Sequence, residues 1–105
     1  MSIEDALESQ IKKNKLIQEK GKALERLLKS QDFQLVILSG FMREHALDLV
    51  YSRANSNEID DSTSRKIDGI AQFKAFLDKV LEEAEIASKD IEQASDDLYH
   101  HRNEV

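Results

Sequence analysis

Residues 70–98, IAQFKAFLDKVLEEAEIASKDIEQASDDL, decide the fold. With Ile70 as the first position of a heptad, the a sites read Ile70, Leu77, Ala84, Ile91 and Leu98. The d sites between them read Phe73, Val80, Ala87 and Ala94. Nine successive apolar positions at alternating steps of three and four residues form a stripe along one face of a long helix, the pattern of a coiled-coil seam. No strand places apolar side chains at that period. The seam changes along its length. Near its start it is widened by Ile67, Phe76 and Leu81, as suits a helix inside a small bundle. From Ala84 onward it narrows to small residues flanked by Glu82, Glu83, Glu85, Asp90, Glu92, Asp96 and Asp97. This second half reads as an arm that packs closely against a single partner helix.

Upstream, residues 33–53 carry apolar side chains on two sides when set on 3.6 residues per turn. Phe33, Val36, Ile37, Gly40, Phe41 and Leu47 serve one side, and Leu35, Leu38, Met42, Ala46 and Leu49 the other. A helix apolar on two sides belongs at the centre of a bundle or at a subunit interface. The run Leu35-Val36-Ile37-Leu38 has strand composition, but the chain offers no second strand to pair with it. Gly40 costs helical stability by about 1 kcal/mol against Ala, and close packing of a neighbouring helix is its expected compensation.

Residues 54–62, ANSNEIDDS, form the one clear loop, rich in side chains that bond their own backbone. They lack the central glycine and closing glutamate of a calcium loop, so Asp60, Asp61 and Ser62 are assigned to capping the helix that follows. The first segment begins Ser2-Ile3-Glu4-Asp5, a capping serine with a carboxylate three residues on. Its stripe of Ile3, Leu7, Ile11, Ile17, Leu24 and Leu28 is interrupted by Asn14 and Gly21 on the same side. A break is expected at Ser30-Gln31-Asp32, with Ser30 or Asp32 as the cap. The expected fold is all-α: a three-helix bundle or helical hairpin with a long C-terminal coiled-coil-like helix. It forms a single domain over 1–105, with helices near 2–29, 33–53 and 62–101.

Composition narrows the functional classes. The 105 residues include no proline, no cysteine and only three glycines. That excludes disulfides and thiolate metal sites and suits long helices. The net charge of −6 argues against duplex nucleic acid as a partner, since phosphate contacts supply affinity there. Charge is uneven: residues 1–30 hold seven basic and five acidic side chains, and residues 61–105 hold six and eleven. A basic first helix is thereby matched to an acidic last one. The basic stretch from Lys12 to Lys29 is interleaved with Glu19 and Glu25 and has no aromatic residue for base stacking. Asp96 and Asp97 stand four residues before His100 and His101, yet no third ligand converges there, and no specific metal site is assigned. His45, between Glu44 and Ala46, reads as a boundary or interface residue and not as a base. No phosphate loop, nucleophile motif or zinc motif is present. No catalytic residue and no cofactor is expected. No apolar run reaches the roughly 20 residues of a membrane span, and an acidic N-terminus unlike a secretory leader points to the cytoplasm.

The stretch 23–41, ALERLLKSQDFQLVILSGF, continuing into Glu44-His45-Ala46, resembles small all-α accessory or virion-assembly proteins of tailed bacteriophages. The shared pattern is a leucine-rich helix end, then Asp32-Phe33 with Val36-Ile37 and Gly40-Phe41, a polar loop and a long helix. It covers about residues 23–95. The resemblance implies an accessory or assembly role in the host bacterial cytoplasm or the virion, and it carries over no catalytic residue. Together these readings predict a helical assembly protein that associates with itself or with other phage structural proteins. The interface is expected along Phe33, Ile37 and Phe41 and along the seam from Ile70 to Leu98. The rival expectation is an acidic phage inhibitor, whose carboxylate-studded last helix imitates nucleic acid and blocks a host protein.

Overall fold

A computed structural model describes residues 2–55 and 61–103, and every described element is helical. Helix α1 spans Ile3–Lys29. Helix α2 is a run in three windings: an α turn over Gln31–Phe33, a π stretch over Gln34–His45 and an α segment over Ala46–Asn55. Helix α3 spans Asp61–Asn103 and is the longest, at 43 residues. The expected all-α architecture with a long C-terminal helix is the one found. The loop expected over 54–62 is shorter at both ends: Ala54 and Asn55 close α2, and Asp61 and Ser62 already belong to α3. Residues 56–60, including the expected cap Asp60, lie outside the described residues.

The helix starts follow from local chemistry. Ser2 Oγ accepts a 3.1 Å hydrogen bond from the Asp5 amide, which satisfies one of the orphan donors at the start of α1. Ser30 breaks the chain between α1 and α2 with extended backbone (φ −69°, ψ 126°), and its Oγ accepts from the Phe33 amide at 3.3 Å. Of the two candidate caps, Ser30 takes the role. Gln34 Nε2 donates to the Leu28 carbonyl at 2.7 Å and ties the first turn of α2 back to the end of α1.

The π stretch accounts for the two-sided pattern of the second segment. On 3.6 residues per turn, Phe33 and Ile37 point away from Leu38, Met42, Ala46 and Leu49. All six are half-buried. Phe33, Ile37, Met42 and Ala46, spaced four or five residues apart, with Leu38 beside Ile37, form one stripe only on a wider turn, which i→i+5 hydrogen bonding supplies. Twelve residues is long for this winding, which ordinarily appears as single-turn bulges. It ends where the Ala46 amide donates to the Arg43 carbonyl and the helix tightens again.

The helices divide into two compact units. The first comprises Met1–Glu25 and Lys79–Val105, and the second comprises Arg26–Asp78. In the first, α1 and α3 run antiparallel. The register is fixed by Gly21 against Ala84, by Gln18 Nε2 donating to Ser88 Oγ at 2.9 Å, and by Arg102 reaching Glu4 and Glu8. In the second, Phe41 of α2 meets Phe73 of α3 edge to face, with ring centroids 5.9 Å apart.

Candidate functional site

The seam of α3 is its inward edge throughout. Ile70, Val80, Ala87 and Ala94 are buried, and Phe73, Leu77, Ala84, Ile91 and Leu98 are half-buried. In the first unit the close partner of the narrow half is α1 of the same chain. A Cβ built on Gly21 would overlap the Ala84 methyl and lie 3.8 Å from the Val80 carbonyl oxygen. Gly21 is therefore the residue that lets the two backbones approach, and Ala84, Ala87 and Ala94 are small for the same reason.

Sequence reasoning takes Gly21 as a defect in the α1 stripe and assigns close helix packing to Gly40. The structure reverses this. Among the described residues, the one atom beyond its own turn within 4 Å of a Cβ on Gly40 is the Leu35 carbonyl oxygen, at 3.1 Å, from the same helix. The signal for Gly21 is present in its heptad phase: Leu7, Asn14 and Gly21 stand seven apart, as Ala87 and Ala94 do in the facing helix.

The second unit is different in kind. Ile70 is its one buried apolar side chain among the described residues. Leu27, Leu35, Val36, Phe41, Leu47, Val50, Tyr51 and Phe76 are all more than a third exposed, with Leu35 at 70% and Val36 and Tyr51 at 62%. Of the expected interface residues on α2, Phe33 and Ile37 turn half inward. Phe41, at 37% exposure, sits between Phe73 and His45, whose ring stacks on it at 6.0 Å. Within Ala46–Asn55 the side chains divide between two faces. Ala46 and Leu49 are half-buried, whereas Leu47, Val50, Tyr51 and Ala54, spaced i, i+3, i+4 and i+7, are exposed. This outer stripe is absent from the sequence-based interface, because Val50, Tyr51 and Ala54 fall at the edge of the expected helix.

The acidic residues of α3 lie on its solvent face. Glu83 pairs with Lys79 at 3.8 Å, Glu85 pairs with Lys89 at 3.7 Å, and Asp97 accepts from Gln93 at 3.0 Å, all at i,i+4 spacing. Among the described residues no three His, Asp or Glu side chains converge to hold a metal ion. His100 makes an edge contact with the Tyr99 ring at 5.7 Å. A shallow cleft of about 150 Å³ is lined by Leu16, Ile17, Lys20, Val80 and Glu83 in the first unit. It is smaller than the ~300 Å³ from which small-molecule sites begin. No described helix is long and apolar enough to cross a membrane. No protein-family model, curated protein or solved structure matches the chain.

Proposed function

We propose that this chain is a non-enzymatic helical assembly protein that docks protein partners through the apolar surface of residues 26–78. The observation that carries the reading is the crowding of exposed apolar side chains into that unit, which holds eight of the twelve large ones among the described residues. Contiguous apolar surface beyond a few hundred Å² is rare on a monomer and marks a site of association. The resemblance of residues 23–95 to phage accessory proteins supports a setting in virion assembly, in the bacterial cytoplasm or the particle. The pairing of Glu83, Glu85 and Asp97 with groups on their own helix supports a solvating role for the acidic face.

The test is recovery of partners from cells that express the full chain together with the other structural proteins of a phage. The expected result is that structural proteins are recovered with the wild type and lost with Leu35→Glu/Val36→Glu. That variant alters only exposed side chains, so its helix content should be unchanged. Recovery instead of a host nucleic-acid-binding protein, weakened by salt and by reversal of Glu83, Asp90 or Asp97 but not by the apolar change, would establish the acidic inhibitor in its place.

A further inference from the structure

We infer that α2 is a two-register element, in which residues 34–45 exchange π winding for α winding and so change which apolar side chains face outward. The two windings sort the same residues differently. In the π winding Phe33 and Ile37 turn half inward with Leu38, Met42 and Ala46, and Leu35 is left 70% exposed. At 3.6 residues per turn, Leu35, Leu38, Met42, Ala46 and Leu49 fall within about 80° of one another, and Phe33 and Ile37 lie opposite. Leu35, Met42 and Leu49 stand seven apart with Leu38 between the first two, the spacing of an α-helical seam. Leu38, Met42 and Ala46 therefore serve both windings. The exchange brings Leu35 in and takes Phe33 and Ile37 out.

Opposed effects keep the two windings close in free energy. The π winding turns two large side chains inward where the α winding turns in one, so apolar burial favours π. Hydrogen-bond geometry favours α, since π runs ordinarily last a single turn and this one lasts twelve residues. None of those twelve side chains is buried, so no filled core locks the choice. Gly40 eases the π winding. A Cβ there would lie 3.1 Å from the Leu35 carbonyl oxygen, five residues back, which is closer than ordinary contact. Its φ is not positive, so the approach of that carbonyl, and not a left-handed backbone, is what the glycine accommodates. The use of the exchange rests on the docking reading: a partner that takes Leu35 selects π, and one that takes Phe33 and Ile37 selects α.

The chain has no cysteine, so single cysteines report exposure without background. In the full chain, Leu35→Cys should react with a thiol reagent about tenfold faster than Ile37→Cys or Met42→Cys. Gly40→Ala crowds the π winding and favours α through helix propensity. In that background Leu35→Cys should slow to the rate of Met42→Cys, Ile37→Cys should overtake it, and Met42→Cys should be unchanged. Ile37→Glu provides a second background, because its carboxylate suits only the outward place that the α winding gives it. There too Leu35→Cys should become protected. Protection of Leu35→Cys in either background, with helix content kept, sustains the inference. Unchanged rates in both would overturn it, as would loss of helix content in both, for no second register would then receive the chain. Faster reaction at every position would mean local unfolding and would overturn it equally. These readings use no partner, so their failure leaves the docking reading standing, and failure to recover partners leaves the two registers standing.

Discussion

The two units of this protein solve the packing of helices in opposite ways. In the first, Gly21, Leu24, Val80, Ala87 and Ala94 are buried, and the closest approach of the two helices is set by glycine and alanine, Gly21 against Ala84. Each of these small side chains removes little apolar area from water. What they allow is close approach of two backbones, which multiplies weak dispersion contacts along the hairpin. In the second unit the side chains are large, the winding of α2 is irregular, and only Ile70 is buried among the described residues. Small residues thus close one unit on itself, while large ones leave the other open. Self-sufficiency here depends on fit and not on hydrophobic content, for the more hydrophobic unit is the less covered one.

Stability should therefore reside in the hairpin seam. Ala87 is 1% exposed, so Ala87→Glu places an uncompensated carboxylate there. It should cost about 3 kcal/mol or more in denaturant unfolding. Glu83→Lys on the solvent face loses one exposed pair with Lys79, worth about 0.5 kcal/mol at most. Amide exchange should show Ala87→Glu acting mainly on residues 3–25 and 79–103. Equal loss of protection over residues 31–55 would break the comparison, because the chain would then behave as one cooperative body.

Next in size is Gly21→Ala. Overpacking against the Ala84 methyl costs about 1–3 kcal/mol, and the helical preference of alanine returns about 1 kcal/mol of that. The expected sign is a net loss of thermal stability, recovered in part by adding Ala84→Gly. A gain in melting temperature for Gly21→Ala alone would show that the two backbones can separate at Gly21 without penalty, and that close fit does not hold the hairpin.

These two positions also show what the sequence makes legible. The α3 seam is readable because nine apolar residues repeat on a heptad, and no other element produces that repeat. Its partner is hidden because close packing demands glycine where an amphipathic pattern demands an apolar side chain. A stripe search scores Asn14 and Gly21 as gaps, although both turn inward. The π winding of 34–45 is hidden for a related reason. At 3.6 residues per turn the six inward residues from Phe33 to Leu49 split between two sides. The outer stripe straddles the expected helix end at Arg53, since the polar run beginning at Asn55 makes the boundary look earlier than it is.

A smaller effect of opposite sign is expected at Gly69. Among the described residues, nothing beyond its own turn of helix lies within 4 Å of a Cβ built there, and the residue is exposed within α3. Gly69→Ala should therefore stabilise the second unit by about 1 kcal/mol through helix propensity alone. Gly69 and Gly21 occupy the two helices that contribute to both units, yet the same substitution should act with opposite sign at them. Thermal melts of the two variants side by side would sharpen the comparison, and a loss at both would mean that Gly69 meets a surface the fold does not show.

The smallest effect concerns the open end of the hairpin. Arg102 donates through Nε to Glu4 at 3.2 Å and through an Nη to Glu8 at 2.9 Å, linking the last turns of α3 to the first turns of α1. All three side chains are substantially exposed, at 53%, 41% and 53%, so solvent screens the pairs and holding three long side chains costs entropy. Arg102→Ala should lower global stability by less than about 1 kcal/mol. Its effect should be local, because the register is already set by Gly21 against Ala84 and by Gln18 with Ser88. Faster amide exchange confined to about residues 4–8 and 98–102, and abolished as a difference by about 1 M salt, is the expected result. A global loss as large as that of Ala87→Glu would mean that the charges at the ends, and not the small residues between them, hold the hairpin closed.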